Sequence, residues 1–453
     1  MIFNQFAFLF LFLPVTLFLF YFGPTRRWRV EILIAASFVF YGISGLTHTG
    51  VLAASIAWVY LLQAPATAIG NPWRLTAAIL VPAGALIYFK YSGFLLGNFL
   101  TLNSGDGFSL FNNIILPAGI SFFTFQLIAY AIDRYRGSVE APPTFRQFAL
   151  YVSFFPQLVA GPIVRLGQVR ADLINLVRWR PRQAVVERSV ALFCLGLGAK
   201  VLLADTLGAY LSHYRAPETL GTVTALYATL AYSFQIYFDF FGYSLMAIGL
   251  GGLFGITLPR NFDDPYRSYN PRDFWRRWHL TLSFWLRDYL YLPLGGNKRY
   301  IRNILIVFAL CGLWHGAGWA FVVWGLYHAA LVAGYHFTAS FWNALPKALQ
   351  WFATFALVSI GWILFQYDLA GSFQFAKALI GLGGATAQPV LWESWIVLAI
   401  AAAVCFGPKL DAIAAFRPKR PAAALSASFG FALLVLAALV FLDRSKDFIY
   451  FRF

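Results

Sequence analysis

Charge is scarce in this chain. Of its 453 residues, 11% are Asp, Glu, Lys or Arg, against roughly 25% in soluble globular proteins. An ordinary water-soluble domain does not have this composition. Cysteine is scarcer: Cys194, Cys311 and Cys405 are the whole set, each within an apolar run and none in a CxxC spacing. They indicate neither a disulfide framework nor a metal cluster. The signatures of soluble enzymes are missing as well. There is no GxSxG elbow, Walker A loop, HExxH helix, EF-hand or complete GxGxxG. Hydrolase, NTPase and metalloprotease readings are therefore unsupported, and no metal is expected.

Apolar residues fill the space that charge leaves. They make up 60% of the chain, the mean hydropathy is +0.68, and they come in runs near the ~20 residues that a helical bilayer span requires. The reading is an all-α polytopic membrane protein, 1–453 as a single membrane domain. Spans are legible near 2–22, 31–47, 50–69, 75–96, 113–132, 187–211, 222–254, 303–317, 319–338, 349–367, 388–405 and 422–442. That makes about 11–12 transmembrane helices, with the division inside 303–338 unmarked by any polar loop. Helices rather than a barrel are expected, because no alternating ten-residue pattern appears. The first run lacks a basic n-region and a small-residue cleavage site, so it reads as a retained span.

The net charge of +16 would point to nucleic acid in a soluble domain. Here it follows from Lys and Arg collecting in cytoplasmic loops, and no nucleic-acid partner is expected. Arg26, Arg27 and Arg29 place the first loop in the cytoplasm. The same parity puts Arg134, Arg136, Arg146, the 165–188 and 260–302 stretches and "RPKRP" (417–421) inside. Both termini then face outward.

Two apolar segments do not fit as spans. "FALYVSFFPQLVAGPIVR" (148–165) is broken by Pro156, Gly161 and Pro162, and "DFWRRWHLTLSFWLRDYLYLPLGGN" (273–297) carries Arg276, Arg277, His279, Arg287 and Asp288. Both read as re-entrant or interfacial elements. Irregular backbone at membrane depth is tolerated only where protein buries it or it lines a wet cavity. A cytoplasm-facing cavity with a basic mouth is therefore expected.

Three positions carry candidate chemistry. His315 sits in "GLWHGAGW" (312–319), where an imidazole is costly unless paired or used. Gly312, Gly316 and Gly318 around it permit close approach of a substrate or another backbone, and an unperturbed pKa of about 6.5 suits a general base. His279 lies four residues from both Trp275 and Ser283, on one face if the segment is helical. With Arg276, Arg277, Arg287 and Asp288 nearby, it suits an anionic, phosphate-bearing donor. Asp239 in "FQIYFDFFGYS" is an intramembrane carboxylate, either functional or a partner for an arginine. His328 and His336 read as structural.

Taken together, "LPAGISFFTFQLIAYAIDRYRG" (116–137), "FFPQLVAGPIVR" (154–165), "FWRRWHLTLSFWLRDYLYLPLGGN" (274–297) and "GLWHGAGWAFVVWGLYHA" (312–329) resemble the membrane-bound O-acyltransferase family, in its bacterial alginate O-acetyltransferase branch. The resemblance implies helices around a central tunnel, His315 as catalytic base and His279 as a second polar position. It also implies a cytoplasmic thioester donor, most simply acetyl-CoA as substrate with no bound cofactor. "DFFGYSLMAIG" departs from the family pattern, with Phe241 and Leu245 where Ser and Asp are common. The tail "DFIYFRF" (447–453) resembles the branch's aromatic terminus, which implies Tyr450 as a transient acyl carrier; an interfacial anchor is the alternative. The partners implied are membrane lipid, a periplasmic acetyltransferase or esterase-type protein and, indirectly, an exported polysaccharide such as alginate or peptidoglycan. A flippase or transporter using His and Asp as a proton relay is the alternative from another class.

Overall fold

The computed structural model describes residues 1–100, 114–383, 389–417, 421–444 and 449, and every regular element among them is helical. The helices used below are α1 (Phe8–Phe22), α2 (Arg29–Gly42), α3 (Leu46–Gln63), α4 (Pro72–Asn98), α5 (Ile120–Tyr135), α6 (Phe145–Ser153), α7 (Gln183–Leu211) and α8 (Thr222–Leu253). They continue with α9 (Pro271–Trp275), α10 (Leu280–Leu286), α11 (Tyr300–His315), α12 (Trp319–Ala344), α13 (Lys347–Gln366), α14 (Trp392–Phe406) and α15 (Pro421–Val440). Seven described helices are long and apolar enough to cross a membrane: α3, α4, α7, α8, α12, α13 and α15. Helices α1 and α14 are shorter apolar helices. Three further expected spans form as helices of 14 to 16 residues, α2, α5 and α11. Hydropathy counts the apolar run, whereas backbone geometry cuts it short: α5 begins after the left-handed Gly119 and α11 ends where Gly316 turns extended.

The chain forms two compact units, Met1–Val190 with Met246–Pro259, and Ala191–Leu245 with Arg260–Phe453. In the first, arginines serve as caps for main-chain carbonyls. Arg29 is buried and donates to the carbonyls of Phe20, Leu176 and Trp179. Arg134, fully buried, donates to those of Gln63, Pro65, Val139 and Glu140. Part of the basic excess thus satisfies carbonyls that loops would otherwise leave orphaned. The expected irregular segment is here too. A Thr144–Gln147 capping box starts α6, the helix breaks at Phe154, and every residue from 148 to 164 is buried. Burial in protein is the condition under which such backbone survives in an apolar setting.

Residues 222–245 of α8 belong to the second unit, and 83% of the helix's most apolar window is buried. Helices α11 and α12 form a tight hairpin. The turn between them is the three residues 316–318, with both flanking glycines extended, so the unmarked boundary inside 303–338 falls directly after His315. Gly312 makes the hairpin possible, because a Cβ there would run into the Phe321 carbonyl, and one at Gly316 would enter the Phe321 ring. The glycines admit another backbone and a ring, the second of the two uses the sequence allowed. Gly312→Val is expected to destabilise the protein by about 1–3 kcal/mol through overpacking, read as a lower unfolding temperature in detergent. An unchanged melt contradicts the close approach.

Candidate active site

The site is built from the loop before α9, the α9–α10 segment and the α11–α12 hairpin. Asn270 caps α9 by accepting the Asp273 N–H at 2.8 Å, and Pro271 occupies the first helical position, where a missing N–H costs nothing. The helix ends after five residues. His279 then takes φ 45°, left-handed backbone for a non-glycine residue, and α10 starts anew behind it. This corrects the expected single helical face: Trp275, His279 and Ser283 do not lie on one helix. Ser283 instead folds back, its hydroxyl donating to the carbonyls of Trp275 and Trp278.

Strain of this kind costs on the order of 1–3 kcal/mol and persists only where the surroundings impose it. Asn261 is the surrounding group. Its backbone carbonyl accepts the Leu280 N–H at 2.9 Å, and its side-chain Oδ1 takes the Thr281 hydroxyl at 2.9 Å and lies 3.0 Å from His279 Nδ1. The Thr281 N–H also points at this atom, 3.4 Å away, which identifies it as the oxygen. An oxygen acceptor requires Nδ1 to carry the proton, so Nε2 holds the lone pair. That Nε2 has no hydrogen-bond partner among the described residues. His279 lies outside the candidate spans, and burial pushes its pKa down to about 3, so the ring is neutral at neutral pH and accepts rather than donates at Nε2.

His315 is the last residue of α11, 4% exposed. Its ring is set edge-on against Trp314, Trp324 and Phe365 at centroid distances of 4.9, 5.2 and 5.2 Å. Trp314 also packs against His279, at 6.0 Å. Both histidines line one cavity of about 580 Å³. The exposed Arg276 and Arg287 share its lining with buried apolar side chains such as Val307 and Phe308. Trp275 lines it too. An anionic headgroup and an apolar arm both find their complement here.

The other sequence-derived candidates sit elsewhere. Arg277 is outside the lining and pairs with Asp273 at 3.0 Å. Asp288 is outside it too, accepting two hydrogen bonds from Arg287 at 2.6 and 3.1 Å. Asp239 is buried against Lys200 at 2.6 Å, a lysine where an arginine was the expected partner. Tyr450 lies outside the described residues. His328 is fully buried against Trp275 and Trp324, whereas His336, expected to be structural, lines the cavity 3.3 Å from Arg272.

Sequence reasoning missed Asn261, Arg272 and Cys311. Cys311 precedes His315 by one helical turn and lines the cavity with it. Asn261 carried no periodic signal, because its role depends on a contact 18 residues away. Asn261→Leu is expected to lower turnover roughly 10- to 100-fold, the loss of a buried hydrogen bond, while leaving donor KM close to wild type. Steady-state kinetics at equal protein amounts reads the split, and an unaffected turnover removes Asn261 from the site.

Comparison with known proteins identifies the family. Residues 138–373 match the model of the membrane-bound O-acyltransferase family. The peptidoglycan O-acetyltransferase of Helicobacter pylori is 37% identical over 436 residues, covering 85% of this chain and 80% of that protein. The probable alginate O-acetylase AlgI of Pseudomonas aeruginosa is 38% identical over 401 residues, covering 84% and 75%. The teichoic acid D-alanyltransferase of Bacillus subtilis is 29% identical over 283 residues, covering 58% and 70%. The family model takes in the cavity-lining hairpin, and the chain belongs to the membrane-bound O-acyltransferase family.

Proposed function

We propose that this protein is an O-acetyltransferase of a bacterial inner membrane, with both termini periplasmic, and that it uses cytoplasmic acetyl-CoA to supply O-acetyl groups to an exported polysaccharide. The observation that carries the reading is the shared cavity of His279 and His315 with exposed arginines in its lining. Family membership favours acyl transfer over a flippase. The relatives named for alginate and for peptidoglycan are about equally similar, so the acceptor class proposed is a cell-envelope polysaccharide hydroxyl.

In this reading Arg276 and Arg287 bind donor phosphates, Arg272 assists them, and Trp275 flanks the thioester arm. Arg277 and Asp288 hold Asp273 and Arg287 in place. His315 takes the proton of the attacking hydroxyl, whose oxygen bonds to the thioester carbonyl carbon. The carbon–sulfur bond then breaks, and the departing thiolate receives the proton. His279 orients the donor by accepting at Nε2. It cannot polarise the carbonyl, because the Nδ1–Asn261 bond leaves no proton on the other nitrogen. The hydroxyl is that of Tyr450, which passes the acetyl group to a periplasmic transferase and so to the polymer.

The test is donor kinetics. Arg276→Ala with Arg287→Ala is expected to raise KM for acetyl-CoA by roughly 10²–10⁴-fold, the worth of two charge-assisted hydrogen bonds to phosphate, with kcat within a few-fold of wild type. An unchanged KM overturns the assignment of the donor site.

A further inference from the structure

One buried cluster plays no part in the chemistry above. The π-helical turn Ala199–Asp205 of α7 brings residues five apart over one another. Lys200 Nζ therefore meets Asp205 Oδ1 at 2.5 Å, and it also meets Asp239 Oδ1 of α8 at 2.6 Å. All three side chains are buried. Gly242, one turn after Asp239, explains the short reach: a Cβ there would lie 2.7 Å from the Gly196 carbonyl oxygen and 3.0 Å from the Lys200 nitrogen. The two helix backbones touch at this point.

Buried ion pairs of this kind add little net stability. The second oxygen of Asp239 has a use. Asp239 Oδ2 accepts the backbone N–H of Ile449 at 2.8 Å, a contact spanning 210 positions, and the Ile449 side chain is 4% exposed. We infer that Asp239, held by Lys200, is a positioning residue that seats the backbone at Ile449 in the second unit. A charged acceptor grips a main-chain donor independently of side-chain identity, which suits fixing a stretch of backbone in one register. The seat stands on the contact itself. Its consequence for transfer rests on the Tyr450 reading above, since Tyr450 is the next residue.

Fragment-resolved hydrogen exchange on the full-length protein in detergent tests this. The Ile449 amide is expected to exchange roughly 10- to 100-fold more slowly than in a free peptide of residues 442–453, the equilibrium worth of a hydrogen bond to a charged group. Asp239→Ala removes that protection. Asp239→Asn keeps an acceptor oxygen and leaves Lys200 paired with Asp205, so it retains most of it. A wild-type Ile449 amide exchanging at the free-peptide rate overturns the seat without any variant, whether or not Asp239→Ala folds. Equal protection in wild type and Asp239→Ala overturns it as well. Lost protection with undiminished acetyl transfer leaves the seat standing and removes Tyr450 from the transfer route.

Discussion

His315→Ala is expected to lower acetyl transfer by roughly 10²–10⁴-fold, the usual worth of a general base, in a protein that still folds and still binds donor. The folding half of this expectation follows from packing. The ring makes edge contacts with Trp314, Trp324 and Phe365, yet it stands at the end of α11 on the wall of an open cavity. Truncation enlarges an existing space rather than opening a sealed void, so the cavity penalty is small beside that of a core leucine. The catalytic half follows from position: the other titratable side chains that the α11–α12 hairpin adds to the lining are Tyr300, Cys311 and the exposed His336. Of the hairpin's groups, His315 alone is a buried imidazole sharing that cavity with His279. A variant that transfers normally at equal expression makes His315 structural.

Lys200→Met has the second large effect, on stability. It leaves Asp205 and Asp239 buried without the ammonium that both contact. Breaking a buried ion pair from one side costs about 3–5 kcal/mol, because the remaining charge is uncompensated. Loss of monodisperse protein on extraction, or a large fall in unfolding temperature, is the expected result. Replacing all three groups, as Lys200→Met with Asp205→Leu and Asp239→Leu, removes the unpaired charges and is expected to recover most of the loss. If the single variant melts like wild type, the cluster is not a buried ion network.

Much of this was legible in the residues. The basic, aromatic 273–297 segment and the glycine-flanked His315 are anomalies in an apolar chain, and the cavity gathers His279, His315, Trp275, Arg276 and Arg287 from them. What stayed hidden depends on long-range contact. The left-handed backbone at His279 breaks a segment that periodicity alone reads as helix, and Asn261 imposes it from another loop. Arg134 and Arg29 read as loop charges, yet both are buried carbonyl caps. Lys200 did leave a signal, a lysine inside "LGLGAKVLLAD". Its meaning appears only once α8 brings Asp239 beside it.

The most direct measurement is release of free thiol and transfer of label from radiolabelled acetyl-CoA, using proteoliposomes of wild type and His315→Ala at matched protein. Wild type that releases CoA and passes label onward, with His315→Ala near background but still retaining donor, is the predicted result. Equal release by both proteins, or none by wild type with donor bound, contradicts acetyl transfer through this cavity.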